Sequence, residues 1–215
     1  MEAGAEATAG GGTPARRGEP LSQETLLQLF QALVDKNYSA IGLHDDALAG
    51  YVARVLAAFA RPAALYAVCN EQGRRLHRLG EMLAASDPVH GGAGSFEREA
   101  AVRRQIGDFA LFFTGMYPES LRGRRGDDRL LEFVAAGKES YQIVSAYEHT
   151  RAECEPPPEW AAVALPVAEE RAPRGPLFAA LASHFERCMY GLNLVKSEIA
   201  SFGDPAYQAA RELLM

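Results

Sequence analysis

Apolar residues along this chain recur every three or four positions, the period of a helix with one buried face. The pattern is cleanest near the C-terminus. There Phe178, Leu181, Phe185, Cys188, Leu192, Val195 and Ile199 follow at steps of 3, 4, 3, 4, 3 and 4. They predict one helix over 176–201, and Pro176 suits its first position, where the missing N–H has no intrahelical partner anyway. The same reading predicts five more helices. One covers 22–36, capped by Ser22, with Leu26, Phe30 and Leu33 as its stripe. A second covers 45–60, capped by Asp45, with Leu48, Val52, Val55 and Phe59. A third covers 63–85 on Leu65, Cys69, Gln72, Leu76, Leu79 and Leu83, and Asp87-Pro88 stops it.

The fourth predicted helix starts at Ser95 and runs to Pro118 through Val102, Ile106, Phe109, Phe113 and Met116. Beyond Phe109 it is apolar on nearly every side, so it belongs at the centre. The fifth covers 128–150 on Leu130, Val134, Gly137, Tyr141 and Val144. A glycine within a stripe costs roughly 1 kcal/mol against alanine. Close approach of a neighbouring helix compensates, and the expected partner is the central helix near Gly107 or Gly115. A short last helix is expected after Asp204-Pro205.

Two segments break the period. Residues 1–20 show none and read as a disordered tail. Residues 151–175 contain Pro156, Pro157, Pro158, Pro166 and Pro173 and read as a long Pro-rich loop, pinned by Trp160, that is an interaction or lid segment or simply mobile. No strand-like alternation and no repeat emerges. The expected fold is all-α: a bundle of about six helices forming a single domain over 21–215.

Composition adds exclusions. The chain has 215 residues, 22 Lys and Arg, 28 Asp and Glu, and a net charge of -6. That balance makes nucleic acid an unlikely partner over a wide face. Lysine occurs only at Lys36, Lys138 and Lys196, a coding bias that suggests a GC-rich, bacterial source. Cys69, Cys154 and Cys188 are far apart, which is neither a disulfide framework nor a zinc spacing. The longest strongly apolar stretch, Phe109–Tyr117, is far short of the ~20 residues of a membrane span. With no signal-like N-terminus, the expectation is a cytoplasmic protein without membrane contact.

Few side chains promise chemistry. His44-Asp45 has the form of a metal-binding dipeptide in HD-type phosphohydrolases, but no histidine precedes it, and Asp45 reads better as a cap. His77 with Glu81, and His184 with Cys188, offer two ligands each, where catalytic zinc takes three. The glycine-rich loop 90–94 lacks the Lys-Ser/Thr ending of a phosphate cradle. Cys69 and Cys188 fall on apolar stripes as inert core residues, and acids flank Cys154. Arg74, Arg75 and Arg78, and Arg122, Arg124 and Arg125, read as solvated basic faces. No metal and no cofactor is expected.

One constellation stands out. Asp108 shares a helix face with Gln105, Phe112 and Gly115, where water is scarce, so its carboxylate needs a partner. Arg104, one turn back, is the expected cation, with Lys138 or Tyr141 reaching in from the next helix. Arg104, Asp108, Lys138 and Tyr141 are therefore the candidate ligand-binding residues. The favoured reading of Asp108 is nonetheless a paired aspartate that fixes helix register, with the pocket as the functional alternative. Catalytic residues are not identifiable.

The run Gly107-Asp108, Leu111-Phe112, Gly115 and Pro118, followed by Gly137 and Tyr141, is similar to a pattern in conserved helical proteins of bacteria that carry no assigned activity. The resemblance implies a helical fold and a bacterial source, and brings no catalytic residue or cofactor. The function expected from the sequence is a non-enzymatic module that binds another protein or itself, as a regulator or scaffold. The alternative is a small-molecule binder or enzyme built on a polar pocket around Asp108. The tail reading yields a direct test: deleting residues 1–20 leaves the melting temperature nearly unchanged. A drop of more than a few degrees would show that the tail packs.

Overall fold

The computed structural model describes residues 22–70, 72–87, 93–122, 129–154 and 174–201. Within them the fold is all-α. In chain order the helices are α1 (Gln23–Ala40), α2 (Asp46–Phe59), α3 (Pro62–Leu65), α4 (Leu79–Ser86), α5 (Phe96–Met116), α6 (Pro118–Leu121), α7 (Arg129–Cys154), α8 (Gly175–Ser183) and α9 (Phe185–Ser201). No helix among the described residues is long and apolar enough to cross a membrane.

Three starts follow from side-chain caps. Ser22 Oγ accepts from Thr25 N, Asp45 Oδ1 from Leu48 N, and Ser95 Oγ from Arg98 N, at 3.1, 3.0 and 3.2 Å. Each satisfies one N–H that the first turn leaves open. The acids that follow, Glu24, Asp46, Glu97 and Glu99, suit the positive end of the helix dipole.

As its composition demands, α5 is the central element. It packs against α7, α9, α4, α6 and α2, and Ile106, Phe109, Ala110, Leu111, Phe112 and Met116 are buried. Pro118 ends it and opens α6. Phe109, Phe112, Phe113, Tyr117 and Phe133 form a connected aromatic cluster, with ring centroids 4.5–6.4 Å apart.

Four glycines set how closely the helices approach, Gly191 against Tyr38 of α1 among them. A Cβ at Gly107 would lie 2.5 Å from Tyr141 Cε1. One at Gly115 would lie 2.6 Å from Leu192 Cβ, and one at Gly137 2.5 Å from Phe185 Cζ and 3.0 Å from Ala110 Cβ. Gly137 is thus the close crossing its place in the stripe implied. Its neighbour on α5 is Ala110 rather than Gly107 or Gly115, and the larger intruder is Phe185 of α9. Gly107 against Tyr141 and Ala110 against Gly137 also show that α5 and α7 run antiparallel.

Two predicted helices are broken. Residues 63–85 are not one helix: after α3 the chain makes a small hairpin, with an antiparallel bridge between Cys69 and Arg75, before α4 begins. The cause is local. The Asn70 side chain accepts from Gln72 N and Arg74 N, and Asn70 and Arg74 also bond through their backbones. Gly73 adopts φ +76°, a conformation glycine takes without the usual penalty. Asn and Gly together outcompeted a stripe that lent itself to a helical reading. Cys69 is consequently half-buried in the hairpin rather than in a helical core.

The second break is slight. The helix predicted over 176–201 divides at His184 into α8 and α9, yet His184 N still reaches Ala180 O at 2.9 Å and Cys188 N reaches His184 O at 2.8 Å. Ser183 Oγ bonds back to Ala179 O, a bond that tends to bend helices. Elsewhere α1 runs on to Ala40, and α7 runs to Cys154, into the predicted Pro-rich loop. The predicted tail 1–20, the remainder of that loop with Trp160, the glycine-rich run 90–92 and the last short helix lie outside the described residues.

The glycine contacts predict a graded outcome in denaturant titrations. Gly107→Ala and Gly137→Ala each lose about 1–3 kcal/mol through overpacking, and Gly137→Leu loses ~2 kcal/mol or more. Gly80→Ala, where an added Cβ meets nothing within 4 Å, is neutral or stabilising. An unchanged midpoint for Gly137→Leu would remove the crossing from the account.

Candidate functional site around Asp108

Three helices meet at one carboxylate oxygen, and a fourth covers them. Asp108, on α5, accepts two hydrogen bonds at Oδ1: from the Tyr51 hydroxyl of α2 at 2.7 Å and from the Tyr141 hydroxyl of α7 at 2.9 Å. Phe178 of α8 packs on both tyrosines, edge-on to Tyr51 at 5.4 Å and tilted against Tyr141 at 5.9 Å. Tyr141 and Phe178 are buried, whereas Tyr51 and Asp108 are half-buried. The Arg54 guanidinium lies 5.9 Å from the Tyr51 ring centre, a cation resting on an aromatic face. Tyr141 reaches Asp108 because Gly107, the residue before it, has no side chain to hold the ring away.

Of the four residues nominated from the sequence, only Asp108 and Tyr141 are joined by a hydrogen bond. Lys138 is turned to α9, where its Nζ pairs with Glu186 Oε1 at 2.7 Å. This corrects its nomination: three residues before Tyr141 on α7, it points out of the junction toward the acid at the start of α9. Arg104 is exposed and makes no hydrogen bond to Asp108. It acts only through space, drawing the Asp108 pKa down as the weakest of four influences.

Asp108 is therefore a charge without a hydrogen-bonded cation. Burial, the dominant influence, pushes its carboxyl from 3.8 to about 6, against the two tyrosine hydroxyls and then Arg104, which favour the ionised form. The two tyrosines are driven well above 10, first by burial and then, in each, by the Asp108 charge. They stay protonated at neutral pH and serve as donors. Oδ2 bonds to no described residue, and it is not among the buried polar atoms lacking a partner, so it keeps contact with solvent. The centre can hold or release one proton near neutrality and offers no activated nucleophile. Cys188 offers none either, because burial pushes its thiol up to about 12. Among the described residues no three His, Cys, Asp or Glu side chains gather as a metal site. His77 instead lies against Tyr66, with ring centres 4.3 Å apart.

A concave surface lies one to three turns away, where the first half of α5 and the last half of α7 diverge. A groove of about 510 Å³ is lined by Phe96, Ala100, Ile143, Ala146 and Tyr147, and Phe96 is 72% exposed at its edge. A polar side groove of about 310 Å³ continues from it past Glu97, Arg104, Glu148 and Arg151. Arg104 thus belongs to this groove, and Asp108 lines neither part.

No family model, no curated protein and no solved structure matches this chain. The site rests on its own geometry.

Sequence reasoning missed Tyr51, the hydroxyl that completes the junction. The signal was present. The α2 sequence DALAGYVARVLAAF is apolar almost throughout, and Tyr51 is one of its few residues with a polar tip. A buried hydroxyl of this kind seeks a partner on a facing helix.

The geometry sets the outcome at Asp108. Asparagine keeps an oxygen for both hydroxyls and removes the buried charge, so Asp108→Asn is as stable as the parent at pH 7, or more stable by ~1 kcal/mol. Alanine strands both hydroxyls and costs about 1–3 kcal/mol. The folded pKa exceeds the unfolded value, so the cost of the charge is fully present above pH 6. As pH falls from 6 toward 3.8, the native state takes up a proton that the unfolded chain does not, and the parent gains on the Asp108→Asn variant. Urea titrations of both proteins between pH 7 and pH 4 measure this. An Asp108→Asn variant much less stable than the parent at pH 7 would show that a cation does hold the carboxylate.

Proposed function

We propose that this protein is a non-enzymatic interaction module, and that its α5/α7 groove receives an amphipathic segment of another protein. The observation that carries this reading is the groove itself. It is apolar along its main channel and bordered by charge, which is how helical segments are received: apolar anchors enter the channel and polar residues meet the rim. Phe96 at its edge suits an anchor role, because an exposed aromatic gains most from being covered. The acids Glu97, Glu99 and Glu148 outnumber Arg104 and Arg151 along the border, and the chain carries a net charge of -6. Both favour a partner whose anchors are flanked by positive charge.

A second reading, a small-molecule site at Asp108, keeps one observation in its favour. A carboxylate retained at a cost to stability, with one oxygen bonded to no described residue, is what a binding site demands and what packing alone does not. The high pKa of both tyrosines and the inert thiol leave such a site without a nucleophile, so binding is favoured over catalysis.

The two readings separate with a Leu/Lys amphipathic helical peptide as a surrogate ligand, followed by calorimetry. The groove reading predicts binding that Ala146→Trp, which fills the channel, weakens by about 10-fold or more, and that Asp108→Asn leaves unchanged. Peptide binding that survives Ala146→Trp would remove the groove from the proposal.

A further inference from the structure

We propose that the hairpin between α3 and α4, together with the helix starts beside it, is a short binding surface for single-stranded nucleic acid. It contacts phosphates and base faces without reading sequence. The chain as a whole is acidic, yet residues 61–78 carry Arg61, Arg74, Arg75 and Arg78 against the single acid Glu71. All four arginines are exposed. Read as one face of a helix, this run is an ordinary solvated stripe. As a hairpin it is not, because the turn gathers charge from separate parts of the chain.

The gathering is visible in hydrogen bonds. Arg75 Nη1 donates to Ala63 O at 3.2 Å, which sets its guanidinium beside the first turn of α3, where Arg61 is the N-cap. Arg98, from the first turn of α5, donates Nη2 to Cys69 O at 3.3 Å, and Cys69 is the bridge partner of Arg75. The α3 start, the hairpin and the α5 start thus converge. A guanidinium carries five N–H donors in a fixed fork. One bond to a carbonyl holds the head of Arg75 in place and leaves donors for phosphate oxygens. The turn beneath is itself braced by Asn70 and Gly73. Glu81 lies 4.0 Å from Arg74 and offsets it in part, and Glu97 and Glu99 flank Arg98 on the first turn of α5, so Arg61, Arg75 and Arg78 carry the charge of this surface.

Beside them is a place for bases. His77 is exposed and half-buried Tyr66 lies 4.3 Å from it, the rings tilted by 51°. Aromatic faces next to arginines are how single strands are held without sequence preference. A lipid surface fits less well. Docking on a bilayer calls for exposed apolar residues to enter it, whereas Val68 and Leu76 are buried, and the exposed Gln72 and Gly73 at the turn offer no apolar side chain. The overall negative charge still argues against wrapping a duplex, and a surface of a few arginines matches only a short strand.

The test is fluorescence anisotropy of the full chain with labelled single-stranded RNA and DNA of about 12 nucleotides, at low and moderate salt. Arg61→Glu/Arg78→Glu is the main variant, because these two, unlike Arg75, hold no carbonyl in the hairpin. Equal helicity by circular dichroism confirms its fold. The proposal predicts affinity falling by about 10-fold or more, with a shallower dependence on salt. His77→Ala weakens binding with the salt dependence unchanged. It is overturned if the parent shows no binding up to about 100 µM, the weak end of non-specific association. It is also overturned if the double variant binds like the parent, or if phosphatidylserine vesicles are bound and oligonucleotides are not.

Discussion

The close packing of α5 against α7 is the constraint from which the rest follows. Gly107 lets the Tyr141 ring lie on the α5 backbone, and Gly137 lets Phe185 and Ala110 meet on α7. Without those two missing side chains the helices stand further apart and the Tyr141 hydroxyl no longer reaches Asp108. The same device explains the groove. The facing residues toward the α5 start and the α7 end are Ala100, Ile143 and Tyr147, with no glycine among them, and there the helices separate. One interface therefore holds the Asp108 junction in one half of its length and the groove in the other.

The junction is an unusual choice for a core. Two hydroxyls on one oxygen satisfy the geometry of a carboxylate but do not neutralise its charge, and burial dominates. A neutral amide would meet the same donors. The aspartate is then retained at a cost, which is a mark of function or of folding specificity rather than of stability. It ties α2, α5 and α7 to one atom, with α8 covering the rings, so any event that changes its charge is felt by four helices together.

Much of the fold was legible in the sequence. The caps Ser22, Asp45 and Ser95 and the central role of α5 follow from local chemistry and from a strong apolar period. The hairpin was obscured because Leu65, Cys69, Gln72, Leu76, Leu79 and Leu83 keep helical spacing by chance. The decisive residues, Asn70 and Gly73, act through a side-chain turn and a positive φ, and apolar spacing does not register either. At the site, Asp108 and Tyr141 were legible as a polar pair on facing stripes. Lys138 was misassigned because spacing along one helix cannot tell which of two neighbours, α5 or α9, a long side chain will meet. The polar tip of Tyr51 on an apolar helix signals that it needs a partner but not which one, because Asp108 lies 57 residues away.

The central claim is that Asp108 is a buried charge held by two hydroxyls and by no hydrogen-bonded cation. Its most direct test is a carboxyl ¹³C titration of Asp108 by NMR in the parent, in Tyr51→Phe and in Tyr141→Phe. The account predicts a midpoint near 6 in the parent. It predicts a higher midpoint in each variant, because each lost hydroxyl favoured the ionised form. A parent midpoint at or below the ordinary value of 3.8, unmoved by either substitution, would contradict it.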